Sequence, residues 1–411
     1  MIRDFYIKNF FILGGTHLGS FVTFLSQIII LRNLNYNEVS ITLSLIAMFG
    51  LINIPISVVT KIIVNYLSEE YKISKENYLE AENNSKKIIG SLILIILIFY
   101  SFLFPIIFKY LKIENPYFLY LFIPLTIICN MYFNVYLSIL QARQEFIKYV
   151  FMSNLNFLLR LIMLALLIFI VSFNQYTVLY TIPLAILFTL LIFCIFNEKK
   201  NFFKIFIIKN FWSKSSSNLY KVIYKSLPKV ILFSVLFYYL FIDQIIVKNL
   251  FPNEINSIYI KTSIISKLVF YLPAPLSIFL LSKNSGLQKN ANFYFLSSLA
   301  LTALISVALF FFIKYFDESL SKILLGDSDQ INEECLIILM IGMIFYSLIN
   351  IVVTQLVARN SYKNLLILVL ISASFPLTSQ FSKNIIDFSY YFTSTIAILF
   401  FVSIIFCLKK N

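Results

Sequence analysis

Six ionisable residues fall inside stretches that are otherwise apolar: His17, Lys61, Arg160, Asp243, Lys261 and Lys267. A charge at the centre of a bilayer costs about 2.5–3.5 kcal/mol on insertion scales, so such residues mark water-filled cavities or buried partners. Asp243 and Lys261 each lie nine residues from Pro252, at the tip of one hairpin. That symmetry predicts similar depth and a structural or gating ion pair between them. Lys61 is close enough to an inner helix end to snorkel or to face a cavity. His17 lies in the inner half of its span, as a hydrogen-bonded packing residue or a cavity residue. Arg160 and Lys267 are too central to snorkel, and no acid has an obvious claim on them. If Asp243 neutralises Lys261, the charge left over is positive. A positive cavity suits an anion: Arg offers phosphate or carboxylate two parallel hydrogen bonds, and Lys a point charge. Arg160, Lys267 and Lys61 are therefore the candidate anion-binding residues.

The elements that would hold these residues are membrane spans. The chain is 60% hydrophobic and 13% charged, against roughly 25% charged in soluble domains. A span takes about 20 mostly apolar residues. The expected fold is all-α, with twelve spans at roughly 10–31, 40–66, 88–110, 117–141, 149–171, 176–197, 225–249, 256–281, 291–314, 334–358, 364–381 and 386–408. An even number puts both termini on one side. With the N-terminus inside, twenty-two Lys and Arg fall inside and seven outside, while the acidic 315–334 segment falls outside. The positive-inside rule therefore places both termini in the cytoplasm.

The formal charge of +14 does not indicate nucleic acid, because the basic residues form no aromatic-interleaved patch. Cys129, Cys194, Cys335 and Cys407 lie far apart with neither metal spacing nor a disulfide framework, and His17 is the single histidine. No metal or other cofactor is expected. The N-terminus enters a long apolar helix without a small-residue cleavage site, so no signal peptide is expected.

"RNLNYNE" at 32–38 returns as "KNLFPNE" at 248–254, an offset of 216 residues. The same offset aligns "NVYLSILQARQ" (134–144) with "NIVVTQLVARN" (350–360), pairing Arg143 with Arg359. One offset joining two distant matches implies a duplicated six-helix unit. Six spans is even, so the halves insert the same way up, as parallel repeats that place substrate between them. The expected divisions are an N-terminal bundle (1–197), a basic cytoplasmic linker (198–224) and a C-terminal bundle (225–411). The linker's Phe, Ile and Trp among lysines fit an amphipathic segment on the anionic inner leaflet or a plain linker. Gly15-x-x-x-Gly19 is expected to be a helix packing contact. Pro55 and Pro273-Ala-Pro275 occupy related places, where bends could serve gating or be static. Tyr238 and Tyr239 could stack on sugars.

Taken together, these features resemble the polysaccharide (O-antigen, Wzx-type) flippases of the multidrug/oligosaccharidyl-lipid/polysaccharide (MOP) exporter superfamily. The resemblance rests on six plus six spans, on "LQARQEF" and its echo "LVARNSY", and on Asp243, Glu254 and Tyr259 in the "DQIIVKNLFPNEINSIYIKTSII" hairpin. It implies a bacterial inner-membrane transporter, not an enzyme, that flips undecaprenyl-pyrophosphate-linked oligosaccharide to the periplasmic leaflet. It also implies that polysaccharide polymerase and glycosyltransferases act beside it. Twelve spans are fewer than the fourteen of the superfamily's lipid II flippases. A cation-coupled multidrug exporter (MATE-like) is the alternative, disfavoured by the scarcity of buried acids. A membrane polysaccharide polymerase or ligase would need a large outer loop; the longest here, about 315–333, is acidic and lacks Arg and His.

Overall fold

A computed structural model describes residues 2–113, 119–143, 145–170, 173–196, 217–277, 280, 291–325, 331–359 and 365–408. The expected linker and the 282–290 loop lie mostly or wholly outside these residues. The side chains of His17 and Lys61 are likewise outside the described set.

Among the described residues the fold is all-α and the protein is a multi-pass membrane protein. The first half holds α1 (Ile2–Asn33), α2 (Tyr36–Ile73), α3 (Lys75–Tyr110), α4 (Leu119–Ala142), α5 (Phe146–Ile170) and α6 (Gln175–Phe196). The second holds α7 (Ser217–Tyr238), α8 (Ile242–Leu250), α9 (Asn253–Ser266), α10 (Leu268–Tyr271), α11 (Ala291–Tyr315), α12 (Asp317–Leu325), α13 (Glu333–Ala358), α14 (Leu365–Thr378) with the 3-10 turn Ser379–Phe381, and α15 (Ile385–Leu408).

Helix boundaries follow the sequence repeat. α3 begins at Lys75 and α11 at Ala291, and α4 ends at Ala142 and α13 at Ala358, each 216 residues apart. The repeated phrase marks equivalent helix junctions, at Asn33/Tyr36 and at Leu250/Asn253. Asn35 and Glu38 form a reciprocal cap there: the Glu38 amide donates to Asn35 Oδ1 at 2.9 Å, and the Asn35 amide to Glu38 Oε2 at 3.3 Å.

Among the described residues eight helices are long and apolar enough to cross a membrane, or nine if α7 and α8, bent by 50° at their junction, are counted as one span. Leu18–Asn33 and Leu365–Phe381 are shorter apolar helices. The expected span 256–281 is interrupted instead. α9 stops at Ser266, Lys267 caps it, and four residues of α10 precede Leu272 and the Pro273-Ala-Pro275 stretch. Its supposed counterpart, Pro55, sits within an unbroken α2. The paired bends are therefore not equivalent.

The chain folds as two compact units: Met1–Asn33 with Ile52–Leu227, and Leu34–Leu51 with Pro228–Asn411. In the first, α4, α5 and α6 share a core that includes Phe133, Leu140, Met152, Ile186 and Leu190. α1 lies against α5 through two glycines. A Cβ on Gly15 would stand 2.2 Å from Val150 Cγ1, and one on Gly19 2.9 Å from Asn154 Oδ1 and 3.0 Å from the Phe157 ring. The GxxxG motif is thus a packing contact, as expected. In the second unit the largely buried α13 is the central helix. Thr393 of α15 donates to its Ile338 carbonyl at 2.9 Å and packs on Gly342, and Cys335 meets Ser389 at 2.9 Å. Hydroxyls along the spans return to their own helix: Ser26, Thr126, Thr189, Ser347 and Thr354 each donate to the carbonyl four residues earlier. Such bonds satisfy polar groups where lipid offers none.

Gly14 has nothing within 4 Å of an added Cβ and so provides a control for Gly15. Gly15→Leu should destabilise the purified protein by about 1–3 kcal/mol, the usual range for overpacking. Gly14→Leu should leave the thermal melting temperature in detergent within a degree or two of wild type.

Candidate functional site

The second unit is organised around one buried ion pair. Asp243 is 0% exposed and Lys267 2% exposed. Lys267 Nζ lies 3.1 Å from Asp243 Oδ2 and 3.2 Å from Oδ1, and donates to the Leu240 carbonyl at 2.8 Å. Ser263 Oγ donates to Asp243 Oδ2 at 2.8 Å, and Tyr259 Oη approaches the same oxygen at 3.4 Å. The expected partner of Asp243 was Lys261; the structure corrects this to Lys267. Equal depth was not the deciding factor. Helix phase was: Lys267, Ser263 and Tyr259 recur at i, i−4 and i−8, so they share a face of the span, and Lys261 is on another. Lys261 Nζ instead lies over the Tyr36 ring, 4.8 Å from its centroid, a cation–π contact within this unit.

The pair sits where two helices break. Asp243 is in the first turn of α8, directly after the bend at Tyr239–Phe241, and Lys267 caps α9. A carboxylate at a helix start and an ammonium at a helix end are each favoured by the local peptide dipoles. The backbone carbonyl at the bend would be an orphan in lipid; Lys267 supplies its donor. The Lys267 carbonyl in turn accepts from the Phe270 and Tyr271 amides at 3.0 and 3.1 Å. Lys267 is thus committed on both its polar ends and does not offer the free cavity charge its central position suggested.

Tyr239, considered as a sugar platform, is 2% exposed and packs against Phe375 and Phe392, each 6.0 Å between centroids. A ring committed to core neighbours is not free to stack on a sugar.

The first unit is different. Arg160 lies about 14 residues, or roughly 21 Å, into α5. Its Nε is buried and has no hydrogen-bond partner among the described residues. On the same helix Asn154 Oδ1 and Asn156 Oδ1 are also buried without partners. The Asn154 oxygen lies on the side of α5 that packs against Gly19, whereas Asn156 lies elsewhere on the helix and was not among the residues the sequence singled out. Its signal was available: an amide four residues from an intramembrane arginine.

Two further clusters escaped the sequence reading. Lys248, counted with the outer loops, is 2% exposed. It donates to Ser40 Oγ at 3.0 Å and to Asn253 Oδ1, while Asn256 Nδ2 donates to Ser40 Oγ at 2.7 Å. Ser40 and Asn256 are equivalent positions of the repeat, 216 residues apart, and they touch directly. Arg143 and Arg359, the repeated arginines, tie down equivalent helix ends. Arg143 donates to Tyr78 Oη at 2.8 Å and to Glu82 Oε2 at 3.1 Å, and lies 5.0 Å from the Tyr78 ring centroid. Arg359 donates to the Cys407 carbonyl at 3.0 Å and to Asn292 Oδ1. Their repetition reflects a structural clamp at the end of α4 and of α13.

No family model and no curated protein matches the chain. Solved structures do. An inward-facing multidrug resistance MATE family transporter of the MOP superfamily superposes with a TM-score of 0.69, at 11% identity, over 95% of this chain and 93% of that one. The lipid II flippase MurJ, in an inward closed conformation, gives 0.71 at 16% identity, over 99% of this chain and 87% of that one. The protein has the fold these transporters share.

Lys267→Met alone leaves a buried carboxylate uncompensated and should cost about 3–5 kcal/mol. Asp243→Asn with Lys267→Met should recover most of the loss in melting temperature. Lys261→Met should lower it much less than Lys267→Met. If the two lysine variants melted alike, Lys261 would carry as much of the load as Lys267.

Proposed function

We propose that the chain is a Wzx-like flippase of the bacterial inner membrane, with both termini cytoplasmic. It moves undecaprenyl-pyrophosphate-linked oligosaccharide outward by alternating access, and a polysaccharide polymerase uses what it delivers. The observation that carries this reading is the charge balance. Among the described residues Asp243 is the one fully buried acid, and it is held by Lys267. Lys248 bonds to Ser40, and Lys261 lies on Tyr36. Arg160 has a buried guanidinium nitrogen with no hydrogen-bond partner among the described residues. A diphosphate supplies the missing acceptors, and its negative charge offsets the cost of burying the arginine. Lys61 is the second cation we assign to the diphosphate, and His17 a residue of the same cavity.

A multidrug resistance MATE family transporter shares this fold. A cation-coupled exporter requires a buried acid free to exchange protons or sodium for cargo. Asp243 is engaged by an internal ammonium and two hydroxyl groups, which favours the flippase.

The gene's deletion should cause an undecaprenyl-pyrophosphate oligosaccharide to accumulate, seen by mass spectrometry of extracted lipids, with loss of surface polysaccharide. An unchanged lipid pool with raised drug sensitivity would establish the exporter reading instead. In complementation, Arg160→Ala should reduce flipping at least 100-fold at a wild-type membrane level, and Arg160→Lys should restore part of it. Wild-type flipping by Arg160→Ala would remove Arg160 from the site.

A further inference from the structure

α5 presents four sides with different surroundings. Ile147, Phe151, Leu158, Ile162 and Phe169 are exposed apolar residues and mark the lipid side. Val150, Asn154 and Phe157 meet the glycines of α1. Met152 and Leu155 pack into the core shared with α4 and α6. Asn156 and Arg160 belong to the fourth side. Each is two residues from Leu158, about 200° around the helix from the lipid side. Four residues apart, they are surface neighbours, with Cβ atoms about 6 Å apart.

This side changes character along its length. Ser153, a turn nearer the start of α5, already donates to the Val150 carbonyl at 3.1 Å. Beyond Arg160 the same side becomes apolar at Leu164, which is fully buried. Between them lie Asn156 Oδ1 and Arg160 Nε, on neighbouring residues, buried and both without a hydrogen-bond partner among the described residues. Each orphaned polar atom costs free energy at this depth. Two of them side by side, on the face turned away from lipid, describe a site that is incomplete without a ligand.

The two groups ask for different chemistry. A guanidinium only donates, and a phosphoryl oxygen only accepts. A side-chain amide both donates and accepts, as a sugar hydroxyl does. A bare phosphate, as an acceptor, would satisfy Arg160 and leave the Asn156 oxygen unpaired; a neutral sugar could pair with both but would leave the charge of the buried arginine uncompensated. We infer that this face of α5 binds a phosphoryl-linked sugar, with Arg160 on the phosphate and Asn156 on a hydroxyl of the first sugar. The inference rests on the flippase reading above and adds to it a sugar contact and its residue. It also gives the ligand a direction: the phosphate lies at mid-span, and the sugar lies toward the start of α5, where Ser153 continues the polar side. The apolar side beyond Leu164 accepts neither group. Asn156 is then a specificity-determining residue, because it contributes nothing to a substrate that lacks the sugar.

The test measures binding of two probes to the full-length protein in detergent by microscale thermophoresis. Farnesyl pyrophosphate carries the lipid diphosphate alone, and farnesyl-pyrophosphoryl-N-acetylglucosamine adds one sugar. Wild type should bind the sugar-bearing probe about tenfold more tightly. Asn156→Leu should remove that difference and leave farnesyl pyrophosphate binding unchanged, while Arg160→Met should weaken both probes. Should Asn156→Leu not elute as a single species, Asn156→Ala gives the same contrast with a smaller side chain. Equal binding of both probes by wild type, or an Asn156 variant that keeps the difference or weakens both probes alike, would overturn the sugar assignment while leaving the flippase reading standing. Failure of wild type to bind either probe would overturn the flippase reading, and the sugar assignment with it.

Discussion

The ion pair between Asp243 and Lys267 is the constraint on which the second unit depends. A helix break inside a membrane exposes a carbonyl and an amide that lipid cannot satisfy. Here two breaks, after Tyr238 and after Ser266, face each other. The ammonium that neutralises Asp243 also completes the Leu240 carbonyl. One side chain thus provides both the charge compensation and the backbone donor. Phe241, at the first break, in turn sits where Gly50 leaves room for its ring.

The repeat makes this arrangement easier to interpret. At an offset of 216, Asp243 corresponds to Gln27 and Lys267 to Leu51. The first half lacks the pair and also lacks the breaks: α1 runs from Ile2 to Asn33 and α2 from Tyr36 to Ile73 without interruption. The break and the pair have therefore diverged together in one half. The converse holds for Arg160, whose counterpart is Pro376. One half carries an ion pair within its spans, and the other an arginine whose buried Nε has no hydrogen-bond partner among the described residues. What the halves retain in common is at their ends. Arg143 and Arg359 clamp equivalent helix termini, and Ser40 meets its own counterpart, Asn256.

This division of roles bears on the proposed function. A charge that is internally compensated can hold a bent helix in place whatever the cargo. A charge that is not compensated has a reason to bind something. The proposed function follows from that contrast, since the fold by itself is shared by exporters and by a lipid flippase.

The sequence alone indicated the solvent, most of the helices and the duplication. Apolar runs of about 20 residues favour helices in a bilayer, because an unpaired backbone is costly there, but they did not show that the 256–281 run breaks after Ser266. The repeated phrases "RNLNYNE" and "KNLFPNE" placed equivalent helix junctions within a residue or two of where they occur. The sequence also showed which side chains were anomalous, since a charge in lipid needs no structure to stand out. It could not determine which anomalies meet. Lys261 and Lys267 are six residues apart on one span, and Asp243 could reach only one of them. Depth counted from the hairpin favoured Lys261, but helix phase, the capping position at Ser266 and the orphaned Leu240 carbonyl favoured Lys267. Those three conditions are set by how α8 and α9 pack, not by residue spacing. The same holds for Asn156: its type and position were visible, but only packing on its neighbours shows that its oxygen has no partner.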